Sequence, residues 1–268
     1  MMAAGNAIMT PPTSTRRSVF ALALAVFGLA GGPAAAAELR VMATGASKEV
    51  VQRLADLFRA RSGHSVSLVA DTAGGVRRRI EAGEAADVVV ATPVVIDALV
   101  AAGRLAAGSR YDLARTGIGI GIAEGAPVPA IATVDDIRRL ILASRGVAYV
   151  DPAGGGTSGI YFVQLAERLG LKDALAARAR PQMGGYVAER VAKGEADVVF
   201  HQISEIMPVQ GVRMIGPLPA EVQLTTTYSA GLAATPATPE AARAFLALMR
   251  TPEAAAIIRA AHMEPAAP

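Results

Sequence analysis

Apolar and polar positions change period repeatedly along the chain. Leu39-Arg40-Val41-Met42-Ala43 predicts a short strand. Over 48–61, Val50, Val51, Leu54, Leu57 and Phe58 return at helical spacing and share one face. Gly63 ends that helix, and 65–70 alternates as a second strand. A helix over 76–82 leads to Asp87-Val88-Val89-Val90-Ala91, a continuous apolar run of the kind buried in parallel sheets. A third helix is predicted over 93–102. Strands that alternate with helices argue for an α/β fold with a mainly parallel sheet.

The character changes over 111–122, where Gly117, Gly119 and Gly121 alternate with isoleucine. This stretch reads as a strand crossing into a second lobe. Beyond it, helices are predicted over 134–142, 158–169 and 185–192, and strands over 146–150, 197–200 and 212–215. The segment 224–233 is extended again and reads as the return crossing. Helices over 239–249 and 252–261, each with proline at its first position, close the chain. Two crossings imply two lobes, one of them discontinuous: 38–117 with 226–268, and 118–225. No internal repeat is evident. Ligands in such folds bind beyond the carboxyl ends of strands, between domains.

Residues 1–37 read as a cleaved export signal. Arg16-Arg17 supplies the positive segment, 19–29 the apolar segment, and Ala35-Ala36-Ala37 the small residues, so cleavage is expected between Ala37 and Glu38. Thr15-Arg16-Arg17-Ser18-Val19-Phe20 also resembles a twin-arginine motif, so either the general secretory or the twin-arginine route fits. The apolar run is too short to span a membrane, so no membrane insertion is expected after processing. The expected product is an exported, periplasmic protein, and a monomer.

Composition removes several classes. Cysteine is absent, which excludes disulfides, thiolate metal sites and a cysteine nucleophile. Three scattered histidines with no ligand-spaced acidic partners argue against a metal centre. The formal charge is +3, and removal of 1–37 leaves 24 basic against 23 acidic residues. With aromatics at 4%, neither charge nor stacking surface supports a nucleic-acid partner. No cofactor motif is present: the run after Asp151 lacks the Gly-Lys-Ser/Thr of a phosphate loop, and the 117–121 glycines lack dinucleotide spacing.

The chemistry is concentrated in four loops between strands and helices. They carry Thr44, Gly45, Ala46 and Ser47; Thr72, Ala73 and Gly74; Gly156, Thr157 and Ser158; and Gly184, Gly185 and Tyr186. A helix N-terminus exposes unpaired N–H groups and partial positive charge, so it holds an anion without a cationic side chain. Two such loops from each lobe would form a hydrogen-bonding cage around a small anionic ligand. His201, Gln202, Ser204 and Glu205 follow a predicted buried strand, where a residue of the cleft would lie. Asp71 is expected to cap the following turn, 77–79 to form a solvated helix face, and His64 and His262 to lie at the surface.

The chain resembles the periplasmic molybdate-binding proteins of ABC importers. The resemblance rests on Val41-Met42-Ala43 and its small-residue loop, on 78–88, and on Asp151-Pro152 followed by Gly159-Ile160-Tyr161. It also rests on Gly194-Glu195-Ala196-Asp197 and Thr251-Pro252-Glu253-Ala254-Ala255, and spans nearly all of 38–268. It implies a two-lobed type II periplasmic-binding-protein fold, each lobe a mainly parallel sheet flanked by helices, with two hinge crossings. It further implies an anion as ligand, an ABC permease as partner and no cofactor. That family holds its oxyanion with serines of the first two loops, amides of the second lobe and a tyrosine hydroxyl. Here the first serine aligns with Ala46, beside Ser47, and the second falls near Thr72 and Ala73. The amide positions match Ser158 and Gly184, and the tyrosine position matches Gln202, beside His201. Fewer hydroxyls and more glycine would admit a larger organic anion. Some relatives of the family are periplasmic aconitate isomerases. On that alternative His201, Glu205 and Tyr186 are the candidate proton-transfer groups.

Overall fold

The computed structural model describes residues 36–266. Apart from Ala36 and Ala37, the expected export signal lies outside the described residues. The described chain opens β1 (Glu38–Thr44), α1 (Lys48–Ser62), β2 (Ser65–Asp71), α2 (Ala73–Glu81), β3 (Val88–Ala91) and α3 (Pro93–Ala101). The long β4 (Tyr111–Ala123) is followed by α4 (Val134–Ala143), β5 (Val147–Val150), α5 (Thr157–Arg168), α6 (Lys172–Arg178), β6 (Ala179–Gln182) and α7 (Glu189–Ala192). Then come β7 (Val198–Gln202), α8 (Ile203–Ile206), β8 (Val212–Pro217), β9 (Thr225–Leu232), α9 (Pro239–Leu248), α10 (Pro252–Ala260) and β10 (Glu264–Pro265).

The strands follow the order β2-β1-β3-β9-β4-β7-β5-β6. Pairings of β1 with β2 and β3, and of β5 with β6 and β7, are parallel. β9 and β4 run antiparallel to their neighbours and join the two parallel groups. β4 changes partner along its length: Tyr111 to Gly117 pair with β9, and Ile118 to Ile122 pair with β7.

Helices cover both faces of each group, which gives separate cores. Leu39, Val41, Val50, Leu54, Phe58 and Phe245 pack between β1 and helices α1, α9 and α10. On the opposite face Met42, Val76, Ile80, Val89, Ile96 and Leu99 pack under α2 and α3. In the second group, Ile118, Ile120, Phe162 and Phe200 form one core, with the Phe162 and Phe200 rings stacked at 4.3 Å. Val150, Val191, Val199 and Ile206 form the other.

The alternating Gly-Ile run of β4 now has a physical reason. Its isoleucines fill a core while its glycines leave room on the opposite face. A Cβ on Gly119 would sit 2.8 Å from Ile203 Cγ1, so glycine lets α8 lie directly on the strand.

Some expectations need correction. The helix expected over 185–192 begins only at Glu189, because the preceding residues form a turn with Gly185 at φ +79°. α2 begins at Ala73 rather than 76, and its glycines lie in the first turn. α6 and β6 carry too little apolar signal to be foreseen: α6 buries Leu175 alone, and β6 reads Ala-Arg-Pro-Gln at the sheet edge. His64 is half-buried rather than at the surface; its Nδ1 accepts the Ala37 N–H at 3.0 Å. His262 is exposed, with φ +57°. Arg77 and Arg79 pair with Glu81 and Glu84, as a solvated face requires, but Arg78 donates to the Gly154 carbonyl at 3.3 Å.

Candidate functional site

The carboxyl ends of β1, β2, β5 and β7 open onto a cavity of about 150 Å³. All four expected loops reach it, through 44–46, 72–73, 156–158 and 184–186, together with His201, Gln202 and Glu205. Two expected residues do not line it. Ser47 is buried, with its hydroxyl 2.8 Å from that of Thr44. Gly74 donates its N–H to the Gly155 carbonyl at 3.0 Å, which joins the loops on opposite sides of the cavity.

Helix starts line the cavity for a local reason. The Thr72 hydroxyl caps α2 by accepting the Gly75 N–H at 2.9 Å, and the same hydroxyl donates to the Gly154 carbonyl. With Gly74 and Gly75 engaged, Ala73 keeps an N–H with no helical acceptor. The first turn of α5 likewise leaves Thr157 and Ser158 with amides free of helical partners. These N–H groups suit an anion.

Ionisable groups sharpen the picture. Lys48, at the start of α1, lines the cavity, and its Nζ lies 5.3 Å from the centre of the Tyr186 ring. Asp71 accepts the Thr72 N–H at 2.7 Å and faces Arg79 at 3.6 Å, so its charge is held within the protein. Burial, and then the charges of Glu205 and Glu49, push the Tyr186 hydroxyl above its ordinary pKa. Tyr228, on β9, is pushed well above the tyrosine range by burial and by Glu205.

The most organised feature is a buried chain of three side chains. Ser158 Oγ lies 3.1 Å from His201 Nδ1, and His201 Nε2 lies 3.4 Å from Glu205 Oε1 and 3.4 Å from the Gly185 carbonyl. All three residues are buried. Burial pulls the imidazole pKa down, but the Glu205 charge, its hydrogen bond and the Gly185 carbonyl outweigh that, so it sits above the ordinary histidine value. Both ring nitrogens are thus engaged within the protein. Beside them Gln202 donates to Thr226 Oγ1 at 3.2 Å, while its buried Oε1 has no partner among the described residues.

Five lining residues were outside the expected ligand-binding set: Lys48, Ala70, Asp71, Val150 and Tyr228. Lys48 follows the first loop directly and was findable as the lysine that adjoins a predicted anion loop. Tyr228 was not, since it reaches the cavity only through the pairing of β9 between β3 and β4.

Residues 39–264 match the family described as bacterial extracellular solute-binding protein. The chain belongs to that family. A curated relative from Pseudomonas sp., named aconitate isomerase, is 32% identical over 254 residues, covering 91% of this chain and 95% of that protein. Among solved structures, the periplasmic molybdate-binding protein of Azotobacter vinelandii is similar at 22% identity and TM-score 0.71, covering 86% and 99% of the two chains. The sulfate-binding protein of Mycobacterium tuberculosis is similar at 16% identity and TM-score 0.66, covering 87% and 88%. The solute-binding chain therefore has the type II fold expected from its sequence. Among the described residues, no helix is long and apolar enough to cross a membrane.

Proposed function

We propose that the protein captures a small organic polycarboxylate in this cleft and delivers it to an ABC permease. The observation that carries this reading is the cavity wall itself. Helix-start amides from 73 and 157–158 share it with the Lys48 ammonium and the polar side chains of Thr44, Thr72, Ser158 and Gln202. Where the resembling family uses serine and tyrosine, this chain has Ala46 and Gln202. The Lys48 ammonium suits a ligand with more than one charged group. The Pseudomonas relative's name, which points to a tricarboxylate, supports the same ligand class.

On this reading 38–117 with 226–268, and 118–225, are two lobes that close by bending where β4 and β9 pass between them. The protein acts in the periplasm as a monomer, after export by the general or twin-arginine route and cleavage between Ala37 and Glu38. The experiment is a thermal-shift panel of citrate, cis- and trans-aconitate, molybdate, tungstate, sulfate and phosphate. Stabilisation by carboxylates supports the proposal, and stabilisation by molybdate or tungstate alone contradicts it.

A second reading is favoured by one specific observation. The Ser158–His201–Glu205 chain is an arrangement suited to moving protons, and a pure binder has no need of it. On that reading the same cleft is an isomerase site for an unsaturated tricarboxylate.

A further inference from the structure

We propose that Ser158 is the group that exchanges a proton with a carboxylate ligand in this cleft, with His201 and Glu205 acting through it as positioning residues. The inference rests on the polycarboxylate reading above and gives the isomerase alternative a specific atom. It comes from hydrogen-bond geometry. His201 Nε2 faces two acceptors, the Glu205 carboxylate and the Gly185 carbonyl. A nitrogen between two acceptors must carry the proton. In the neutral ring Nδ1 is then the acceptor, and its neighbour is the Ser158 hydroxyl at 3.1 Å. The polarity of the chain is fixed: Ser158 donates to His201, and the Nε2–H of His201 faces the Gly185 carbonyl and the Glu205 carboxylate. His201 has no nitrogen left for a ligand, whereas Ser158 lies on the cavity wall at the first turn of α5.

The step balances without a co-reactant. A C–H proton next to a ligand carboxylate passes to Ser158 Oγ as the Oγ–H proton passes to His201 Nδ1. The electron pair left on carbon spreads into the adjacent carboxylate and double bond, within reach of the Lys48 charge and the Ala73 and Thr157 amides. The imidazolium is held by the Glu205 carboxylate. Reversal returns one proton to the same carbon or to the allylic one; the second outcome moves the double bond. Nothing is oxidised or reduced. Other ionisable groups on the wall are Lys48, Asp71, Tyr186 and Tyr228.

The test uses the whole protein with cis- and trans-aconitate as probes. Calorimetry measures binding, and proton NMR follows interconversion and deuterium uptake in heavy water. The account expects turnover by the wild type, and a loss of at least about 100-fold in kcat in Ser158→Ala, well beyond any accompanying change in Kd. Glu205→Gln, whose amide oxygen still accepts from Nε2, loses less and moves the midpoint of the pH–rate profile downward. Nitrogen-15 histidine spectra above the His201 pKa are expected to show the Nε2–H tautomer, in both the wild type and Ser158→Ala. Binding without turnover overturns the relay and leaves carboxylate capture standing. Absence of binding overturns both. A greater loss in Glu205→Gln than in Ser158→Ala, or an Nδ1–H tautomer, overturns the assignment of Ser158.

Discussion

Gly74 and Gly155 join two of the loops that build the cavity, with the amide of one donating to the carbonyl of the other at 3.0 Å. A Cβ on Gly74 would lie 2.9 Å from Gly155 Cα, and a Cβ on Gly155 would lie 2.8 Å from Gly74 Cα. Only two glycines permit this approach. Gly74→Ala is expected to weaken ligand binding about tenfold, or about 1.4 kcal/mol, because closure is blocked. The unliganded protein should melt no lower, since alanine favours the first turn of α2. Calorimetry and thermal melts on the same sample check both, and unchanged affinity would sink the closure argument.

Lys48 is expected to set the preference for charge. Lys48→Ala should weaken carboxylate binding by roughly tenfold or more, the value of about 1.5 kcal/mol typical of a hydrogen bond to a charged group. The loss should shrink as salt is raised. Titrations at low and high ionic strength read this directly, and an equal loss in both would assign Lys48 a packing role instead.

Two aspartates perform matching tasks at different depths. Asp87, just before β3, accepts the Arg40 and Ala237 N–H groups at 2.8 and 2.6 Å and is fully buried. Asp197, just before β7, accepts the Arg145 N–H at 2.6 Å and pairs with the Arg145 guanidinium at 2.7 Å near the surface. Arg79–Glu84 and Arg190–Glu195 ion pairs precede them at 2.6 and 2.9 Å. Asp87→Ala leaves buried donors unpaired and should cost about 3 kcal/mol in urea unfolding. Asp197→Ala should cost about 1 kcal/mol. Equal losses would contradict the burial argument.

The Arg145 hydrogen bond outweighs burial in holding the Asp197 carboxyl below its ordinary pKa. Its stabilising contribution is therefore present above the ordinary aspartate range and lost as pH falls through the depressed value. His201 has the opposite sign. Its folded pKa is raised, so its contribution is complete below the ordinary histidine value and fades as pH rises through the raised one. Urea melts should show the stability gap between wild type and His201→Gln narrowing from pH 5.5 to pH 8.5. A widening gap would reverse the sign of the shift.

Much of the fold was legible because strands such as β1, β3, β5 and β7 are short and rich in apolar residues, and the long helices have one continuous apolar face. The four loops were legible through their glycines and hydroxyls. What the sequence hides is pairing. The correspondence of the segments ending in Asp87 and Asp197 is short, and its spacing differs: two alanines separate Gly83-Glu84 from Asp87-Val88, and one separates Gly194-Glu195 from Asp197-Val198. The Ser158–His201 contact joins positions 43 apart in sequence and depends on β5 pairing beside β7. Tyr228 comes into reach only because β9 inserts between β3 and β4. No local pattern carries such information.

The central claim is that this cleft takes an organic polycarboxylate. Its most direct test is a calorimetric titration of the protein with trans-aconitate, run beside molybdate under the same buffer. The account predicts saturable binding of the carboxylate at one site per chain, weakened in Lys48→Ala, and no comparable heat from molybdate. Tight molybdate binding with no response to the carboxylate would contradict it.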